Sequence, residues 1–345
     1  MESKNIQISE LAFQIVEHSE VMEGFDFNNY NTKSEELKYI NRETISEFLK
    51  CDETSVFVRE LEDGNYQLVA HNTASNETVL VNGIGNHLVA LINSVRLAAK
   101  NYSKIKSGDF SEPLLTHDLI KSINERILFL RRDEAGIGKY RGLTYIGTEH
   151  KVCIFIYDPK IDSRRRINCT HLESSLNDNI KIQLDKLINF VNNKAFKSDE
   201  TFMIDLAKFV ARFVQIHPFG DGNGRTSRLL TNYILLSYGK NIIDIPDEKR
   251  DEYCHCISYA LADSDEAFCA ELDSYKEFYE KAVKKYGPRT SGDNRFLPLA
   301  DFLEQCKIKN AKRYIGNIIN YKKKSVLQDK FSVQIITRNN SENNQ

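Results

Sequence analysis

Apolar side chains recur at helical spacing near the start of the chain. Ile8, Leu11 and Ile15 stand at intervals of three and four positions, which is the pattern of an amphipathic helix. The periodicity stops at Gly24, and a glycine directly after the last apolar turn is typical of a helix C-terminus. The pattern therefore predicts a helix over residues 6–24.

The pattern then changes from helical spacing to short extended runs. Residues 55–61 and 66–70 are rich in β-branched and aromatic side chains, and a Gly-containing turn at residues 63–65 separates them. Such an arrangement predicts a β-hairpin, and residues 78–81 add a third candidate strand. We interpret the three runs as a small β element inserted in the N-terminal region, and we assign it no function.

Helical periodicity dominates the remainder of the chain, which predicts a mainly α protein. The predicted helices cover residues 87–102, 115–130, 179–191, 202–216, 228–239, 247–262 and 264–285. Pro218 cannot continue a helix, so the helix over 202–216 must end where His217 stands. We predict three regions: an N-terminal region (1–110), a helical core (111–287), and a linker with a basic extension (288–345).

Length, net charge and cysteine content favour a globular protein without a membrane-spanning segment. The 345 residues are enough for a large core, and the net charge of −2 gives no overall attraction to nucleic acid or anionic membrane. Because no run approaches the ~18 apolar residues of a membrane span, we expect no membrane partner. The seven cysteines are odd in number and form no CxxC, which favours reduced thiols in a cytoplasmic protein.

Candidate catalytic and ligand-binding residues are concentrated in the stretch HPFGDGNGRTSR, which runs from His217 to Arg228. His217 is a candidate general base because the ordinary pKa of histidine lies near neutral pH. Asp221 offers a hard carboxylate oxygen of the kind that binds Mg²⁺. Arg225 and Arg228 stand three positions apart on one helical face, and their guanidinium groups suit phosphate oxygens.

Gly222 and Gly224 complete the pattern. Glycine carries no Cβ, so the backbone can approach a ligand closely and direct N–H groups toward it. A helix that begins here favours an anion at its N-terminus. Together the residues predict a polyphosphate site. Taken separately, the same residues fit an ordinary glycine-rich loop.

Every specified position of the stretch matches HxFx(D/E)GNGRxxR, so the chain resembles the Fic/Doc family. The resemblance implies a Fic-type helical core that transfers AMP from ATP, with Mg²⁺, to a hydroxyl side chain of a target protein. It implies His217 as the base and Asp221 as the metal ligand. The nucleotide-binding residues that it implies are Gly222, Asn223, Gly224 and Arg225 for the α- and β-phosphates, Arg228 for the γ-phosphate, and Tyr253 for adenine.

The base preference stays open in this reading. Cys254 and Leu261 occupy positions where the family pattern favours Tyr and Asn. The resemblance therefore implies a nucleotide site without deciding which base fills it.

A second resemblance lies at the end of the first predicted helix. Residues 19–24 read Ser-Glu-Val-Met-Glu-Gly, similar to the (S/T)xxxE(G/N) inhibitory motif of one Fic class. The resemblance implies that Glu23, with Ser19 on the same face, pairs with Arg228 and fills the γ-phosphate position. The alternative is an ordinary capped helix end.

The family also suggests where a target protein binds. Residues 138–141 read Gly-Lys-Tyr-Arg, similar to the G-x-Y-R segment that leads into a β-hairpin flap, which binds the target by strand addition. The implied flap residues are Leu143, Thr144, Tyr145 and Ile146. An ordinary surface hairpin is the alternative.

Two other functions remain open at this point. The metal and Glu23 could activate water and remove AMP from a protein at the same site. A non-catalytic regulator could instead sense nucleotide and use its basic C-terminal extension to bind nucleic acid, although an intact His217 disfavours that interpretation. The expected partner is a protein substrate, and a homodimer is left open.

Overall fold

A computed structural model describes residues 14–20, 22–23, 54–60, 66–72, 77–80, 84–128, 137–140, 153–158, 163–168, 177–193, 195–262, 264–271, 273–308 and 335–336. The fold is mainly helical. The helices are α1 (residues 14–20), α2 (Ile84–Lys106), α3 (His117–Leu128), α4 (Asn177–Asn193), α5 (Phe202–Ile216), α6 (Asn223–Ser237), α7 (Arg250–Leu261), α8 (Asp265–Glu271), α9 (Asp273–Tyr286) and α10 (Leu297–Gln305).

Helix α6 is the centre of the core. Helices α2, α3 and α5 pack against it, α4 and α10 pack against α5, and α10 also contacts α7. Almost every residue of α6 is buried, as expected for a helix that is surrounded by others. The central helix begins directly after the loop of residues 217–222, so the packing of the whole core determines where that loop lies.

The strands lie outside this helical core. The strands are β1 (Thr54–Glu60), β2 (Tyr66–Asn72), β3 (Glu77–Leu80), β4 (Cys153–Asp158), β5 (Ser163–Asn168) and β6 (Ile335–Ile336). One sheet has the order β3-β2-β1-β6, with β6 parallel to β1, and β4 pairs antiparallel with β5. Residues 143–146, the predicted flap, lie outside the described residues, and so do residues 6–13 and Gly24 of the predicted first helix.

The segment predicted to be a linker from residue 288 instead contributes to the core. Arg289 is buried, and its Nε donates to Asp265 at 2.7 Å. Helix α10 follows, with Leu299, Phe302 and Leu303 buried. The glycines and proline of residues 287–292 resemble a linker, but they form a turn that returns the chain to the core. The sequence prediction of the boundary at 288 is therefore wrong for residues 289–305.

Helix α1 is attached to the core by apolar and polar contacts. Ile15 and Val16 are buried. Gln14 Nε2 donates to Asp244 Oδ2 at 2.8 Å, and His18 Nδ1 lies 2.9 Å from Asp244 Oδ1. The helix is thus fixed against the connector that follows α6.

The His18–Asp244 pair makes stability depend on pH. The hydrogen bond with Asp244 raises the pKa of His18 against the effect of burial, and the charges of Asp244, Asp247 and Glu17 add to the rise. Because the folded pKa exceeds the unfolded value, the pair stabilises fully below about pH 6.5 and loses its effect as pH rises through the folded pKa. We expect the free energy of unfolding of His18→Gln to differ most from the parent near pH 6 and least near pH 8.5.

Denaturant unfolding at a series of pH values would measure this difference. In an Asp244→Asn background, the same substitution should have an effect that hardly changes with pH. A His18→Gln effect that is equally large at pH 6 and pH 8.5 in the parent background would contradict the assignment.

Candidate active site

His217 stands at the end of α5 in an uncommon backbone conformation. Its φ of 47° and ψ of 59° are left-handed, and its N–H donates to the Phe213 carbonyl oxygen at 3.0 Å. A non-glycine residue rarely adopts this region, and such residues concentrate at functional sites. The turn directs the chain away from the helix axis and leaves the imidazole half-buried at the start of the loop.

Asn223 shapes the loop that follows. Its side-chain Oδ1 accepts from the Phe219 N–H at 2.9 Å, and its Nδ2 donates to the Phe219 carbonyl at 2.8 Å. The oxygen and the nitrogen of the Asn223 side-chain amide therefore both form hydrogen bonds with the backbone of Phe219. The phosphate contact predicted for Asn223 then depends on its backbone N–H, which belongs to the first turn of α6, where N–H groups lack an intrahelical acceptor.

Asn124 on α3 supports the same loop from the opposite side. It is fully buried, donates to the Asp221 carbonyl at 3.0 Å and accepts from the Gly138 N–H at 3.1 Å. Asn124 was not among the site residues predicted from the sequence. A polar residue among Ile120, Ile123 and Ile127 on the apolar face of α3 was the available signal, because a buried amide needs partners.

The two predicted glycines are required for different reasons. Gly222 has φ 75°, and a Cβ there would lie 2.9 Å from Asn124 Nδ2. At Gly224 an added Cβ would collide with Glu23 Oε1 and would lie 3.1 Å from Arg228 Nη1. The space beside Gly224 thus holds the Glu23 carboxylate in this structure.

Arg228 donates hydrogen bonds to three oxygen atoms, two on Ser19 of α1 and one on Glu23 just beyond that helix. Its Nη2 lies 2.8 Å from Glu23 Oε1, although the two residues are 205 positions apart. Its Nε donates to Ser19 Oγ at 2.9 Å, and its Nη2 donates to the Ser19 carbonyl at 2.7 Å. The ion pair that the family resemblance implies is present.

Arg225, the other arginine of the stretch, is buried and paired with carboxylates. Its side chain is 2% exposed, with Nη1 3.1 Å from Glu20 Oε2 and Nη2 3.0 Å from Asp221 Oδ2. Burial acts to lower the pKa of Arg225, but the charges of Glu20 and Asp221 outweigh burial and raise it. Arg225 therefore remains charged, and carboxylates hold both Nη groups.

Glu20 was also not among the site residues predicted from the sequence. It is fully buried, and its Oε1 lies 3.0 Å from Nδ1 of His87, which is also buried. Burial lowers the pKa of His87, which favours a neutral ring that donates its Nδ1–H to the carboxylate. Glu20 lies within the recognised motif at a position that the motif leaves unspecified, so only the fold reveals its partners.

Asp221 can accept a metal ion. Its side chain is 64% exposed, and its Oδ1 accepts from the Gly222 N–H at 2.6 Å. Each oxygen of a carboxylate keeps further acceptor capacity when it accepts one hydrogen bond. Within the described ranges, no three His, Cys, Asp or Glu side chains cluster as a metal site. One exposed carboxylate nevertheless fits Mg²⁺, which normally adds water and substrate phosphates to one or two carboxylates.

Tyr253 and Tyr140 both pack against neighbouring aromatic rings. Tyr253 is buried, with its ring 5.8 Å from that of Phe302, and its contact with adenine stays a prediction. Tyr140, in the segment before the predicted flap, contacts the Phe219 ring at 5.4 Å and lies 2.7 Å from His117 Nδ1. The segment that precedes the predicted flap is therefore in contact with the loop of the site.

The model of the Fic/DOC family matches residues 114–235. The proteins named "Protein adenylyltransferase Fic" from Drosophila mojavensis and Drosophila grimshawi are each 49% identical over 49 residues, which is 14% of this chain and 10% of the relative. The match thus spans a tenth of the length of these curated relatives. Among the described residues, no helix is long and apolar enough to cross a membrane.

Two solved structures are also similar. A Fic domain containing signaling protein from Bacteroides thetaiotaomicron has 18% identity and a TM-score of 0.43, covering 77% of this chain and 80% of its own. A Fic family protein from Desulfovibrio desulfuricans has 14% identity and a TM-score of 0.38, covering 91% of this chain and 66% of its own.

Proposed function

We propose that this chain, whose residues 114–235 match the model of the Fic/DOC family, transfers AMP from ATP to a Ser, Thr or Tyr hydroxyl of another protein. We further propose that the Glu23–Arg228 ion pair holds the enzyme in an inhibited state. One observation carries the proposal. At the start of α6, Arg228 and the space beside Gly224 form an anion site that the Glu23 carboxylate occupies.

The charges around α6 support a phosphate ligand. The first turn reads Asn-Gly-Arg-Thr and contains no acidic residue. The positive end of the helix dipole is therefore not neutralised by a side chain of that turn. Arg225 and Arg228 add two guanidinium groups. A polyphosphate of ATP would replace the Glu23 carboxylate at Arg228, because one guanidinium edge cannot bind both anions in the same place.

In the proposed reaction, His217 takes the proton from the target hydroxyl as the hydroxyl oxygen attacks the α-phosphorus. A new O–P bond forms, the bond from the α-phosphorus to the bridging oxygen breaks, and pyrophosphate leaves. The amides of Gly222 to Gly224 stabilise charge that develops on the α-phosphate. Asp221 would hold Mg²⁺, which neutralises phosphate charge when bound.

Labelled nucleotides test the reaction class directly. The protein and its Glu23→Gly variant would be incubated with cell lysate and ATP labelled at the α-phosphate, and in parallel with ATP labelled at the γ-phosphate. AMP transfer deposits only the α-label on protein, whereas phosphoryl transfer deposits only the γ-label. Parallel reactions with α-labelled GTP and CTP would decide the base preference. No α-label from any nucleotide in either protein would contradict the proposal.

Removal of AMP is the second candidate, and the position of Glu23 supports it. Its carboxylate is 31% exposed and lies beside Gly224, where it could activate water if the ion pair opened. A protein that the Glu23→Gly variant has labelled provides the substrate. Release of free AMP by the parent but not by Glu23→Gly would favour this second activity.

Asp221→Asn should lower transfer by about 10²-fold or more, because a bound metal supplies several kcal/mol of charge stabilisation. Thermal unfolding would be measured in parallel, because Asp221 also pairs with the buried Arg225. Asp109→Asn, an exposed loop carboxylate, is the matched control and should behave as the parent. Transfer would be measured against Mg²⁺ concentration. Activity that persists in excess EDTA would remove Asp221 from the metal role.

A further inference from the structure

A chain of charged and polar contacts leads from the interior to the metal-binding carboxylate. His87 on α2 contacts Glu20, Glu20 contacts Arg225 at 3.1 Å, and Arg225 contacts Asp221 at 3.0 Å. The first three side chains are at most 2% exposed, whereas Asp221 is 64% exposed. Arg225 therefore connects a buried carboxylate to an exposed one.

Glu20 and Glu23 differ in their freedom to move. Glu20 lies on α1, which the buried Ile15 and Val16 and the His18–Asp244 contact attach to the core. Glu23 lies beyond that helix, with a side chain 31% exposed. The release of Arg228 requires only the Glu23 side chain to turn away. Glu20 would therefore remain on Arg225 whether or not the Glu23–Arg228 pair is closed.

The charge of Arg225 explains why a fixed partner is needed. A buried guanidinium needs an anion, since an uncompensated buried charge costs several kcal/mol. Without Glu20, Asp221 is the nearer of the remaining carboxylates that face Arg225, the other being Glu23. Asp221 already contacts Arg225, and if it alone had to neutralise this guanidinium, it would be less available to a divalent cation. Glu20 supplies the compensating charge on the buried side.

We propose that Glu20 is a positioning residue that neutralises Arg225 and fixes its guanidinium, so that the Asp221 carboxylate stays available to a divalent cation. Glu20 acts through Arg225 and touches no substrate. The inference rests on the proposed function, because it concerns the same nucleotide and metal site. It assigns opposite effects to two carboxylates of one short segment: Glu20 supports the site, and Glu23 blocks it.

The test compares Glu20→Gln with Glu17→Gln, both in the Glu23→Gly background. Glu17 lies on the same helix and is only partly buried. Mn²⁺ would be titrated by electron paramagnetic resonance in the presence of α,β-methylene-ATP, which cannot transfer AMP. Calorimetry with ATP in EDTA would measure metal-free nucleotide binding, and thermal unfolding would report stability.

The expected result for Glu20→Gln is a rise in the Mn²⁺ half-saturation concentration of about 10-fold or more, the usual effect of removing a group that supports a metal ligand. Metal-free ATP binding should not weaken, because Arg225 loses a competing anion. Glu17→Gln should match the parent in both measurements. In an Asp221→Asn background, Glu20→Gln should leave Mn²⁺ binding unchanged, since the two effects share one path.

Three results would overturn the inference: unchanged Mn²⁺ binding in Glu20→Gln, an equal loss of Mn²⁺ and metal-free ATP binding with a lowered unfolding temperature, or an undiminished Glu20→Gln effect in the Asp221→Asn background. If Glu20→Gln does not fold, Glu20→Asp retains the charge but moves it by one methylene. It should then raise the Mn²⁺ half-saturation concentration by a smaller factor, and no rise would overturn the inference.

The binding measurements also separate this inference from the proposed function. Weakened Mn²⁺ binding in Glu20→Gln without AMP transfer in the Glu23→Gly parent would support the role of Glu20 and contradict AMP transfer. AMP transfer by the Glu23→Gly parent together with unchanged Mn²⁺ binding in Glu20→Gln would support AMP transfer and contradict the role of Glu20.

Discussion

Replacing His217 by alanine should lower AMP transfer by about 10³-fold or more while Mg·ATP binding stays close to that of the parent. General base catalysis contributes about 10²- to 10⁴-fold to such reactions. In the proposed mechanism His217 removes the hydroxyl proton and binds no phosphate. The nucleotide site formed by Arg228 and the first turn of α6 should therefore survive the change.

The backbone of His217 calls for a matched control. The left-handed conformation at φ 47° is better tolerated by asparagine than by alanine, so His217→Asn separates loss of the base from backbone strain. Both variants would be assayed for self-labelling with α-labelled ATP and for ATP affinity by calorimetry, in the Glu23→Gly background. Labelling equal to that of this background would remove His217 from the role of base.

The same experiment separates an enzyme from the non-catalytic alternative. A protein that only senses nucleotide needs no base, so its ATP-dependent behaviour should be the same with and without His217. Loss of labelling with retained ATP binding would therefore exclude that alternative.

Replacing Glu23 by glycine should raise AMP transfer roughly 30- to 150-fold, which corresponds to about 2–3 kcal/mol in the productive arrangement of ATP. The carboxylate that contacts Arg228 at 2.8 Å and occupies the space beside Gly224 is then gone. The hydroxyl and carbonyl oxygens of Ser19 still hold Arg228 at 2.9 Å and 2.7 Å. The guanidinium should therefore stay oriented while it becomes available to the γ-phosphate.

Arg228 variants provide the control for this prediction. Arg228→Ala should not increase transfer, because it removes the phosphate ligand together with the inhibitory contact. The double variant should resemble Arg228→Ala and not Glu23→Gly. Initial rates of self-labelling and of lysate labelling would be compared at equal protein concentration. A Glu23→Gly rate no higher than the parent rate would mean that residues 19–24 are only a helix end.

The residues from His217 to Arg228 could be predicted from the sequence because they are close together in it. A helix that ends at a proline, a glycine-containing turn and a second helix are decided by local backbone chemistry. The local order therefore determines that His217, Asp221, Gly222, Gly224 and the two arginines lie around one loop. The resemblance to the Fic/Doc family also led to the hypothesis that Ser19 and Glu23 are inhibitory residues.

The partners of these residues were decided only by the tertiary structure. Periodicity shows which side of a helix is buried, but it does not show which distant residue packs there. Glu20 therefore counted only as an unspecified position within the motif, although it contacts Arg225 and His87. Asn223 matched a phosphate ligand, and the fold uses its side chain to close the loop on Phe219.

The region after residue 287 is a second case in which the local sequence does not predict the tertiary contacts, here for a whole helix. A glycine and a proline interrupt the helical pattern, so local reasoning placed a linker there. Helix α10 nevertheless packs on α5 and α7, because its buried Leu299, Phe302 and Leu303 remove apolar surface from water. Such burial depends on surfaces that earlier parts of the chain form, and therefore only the folded protein decides it.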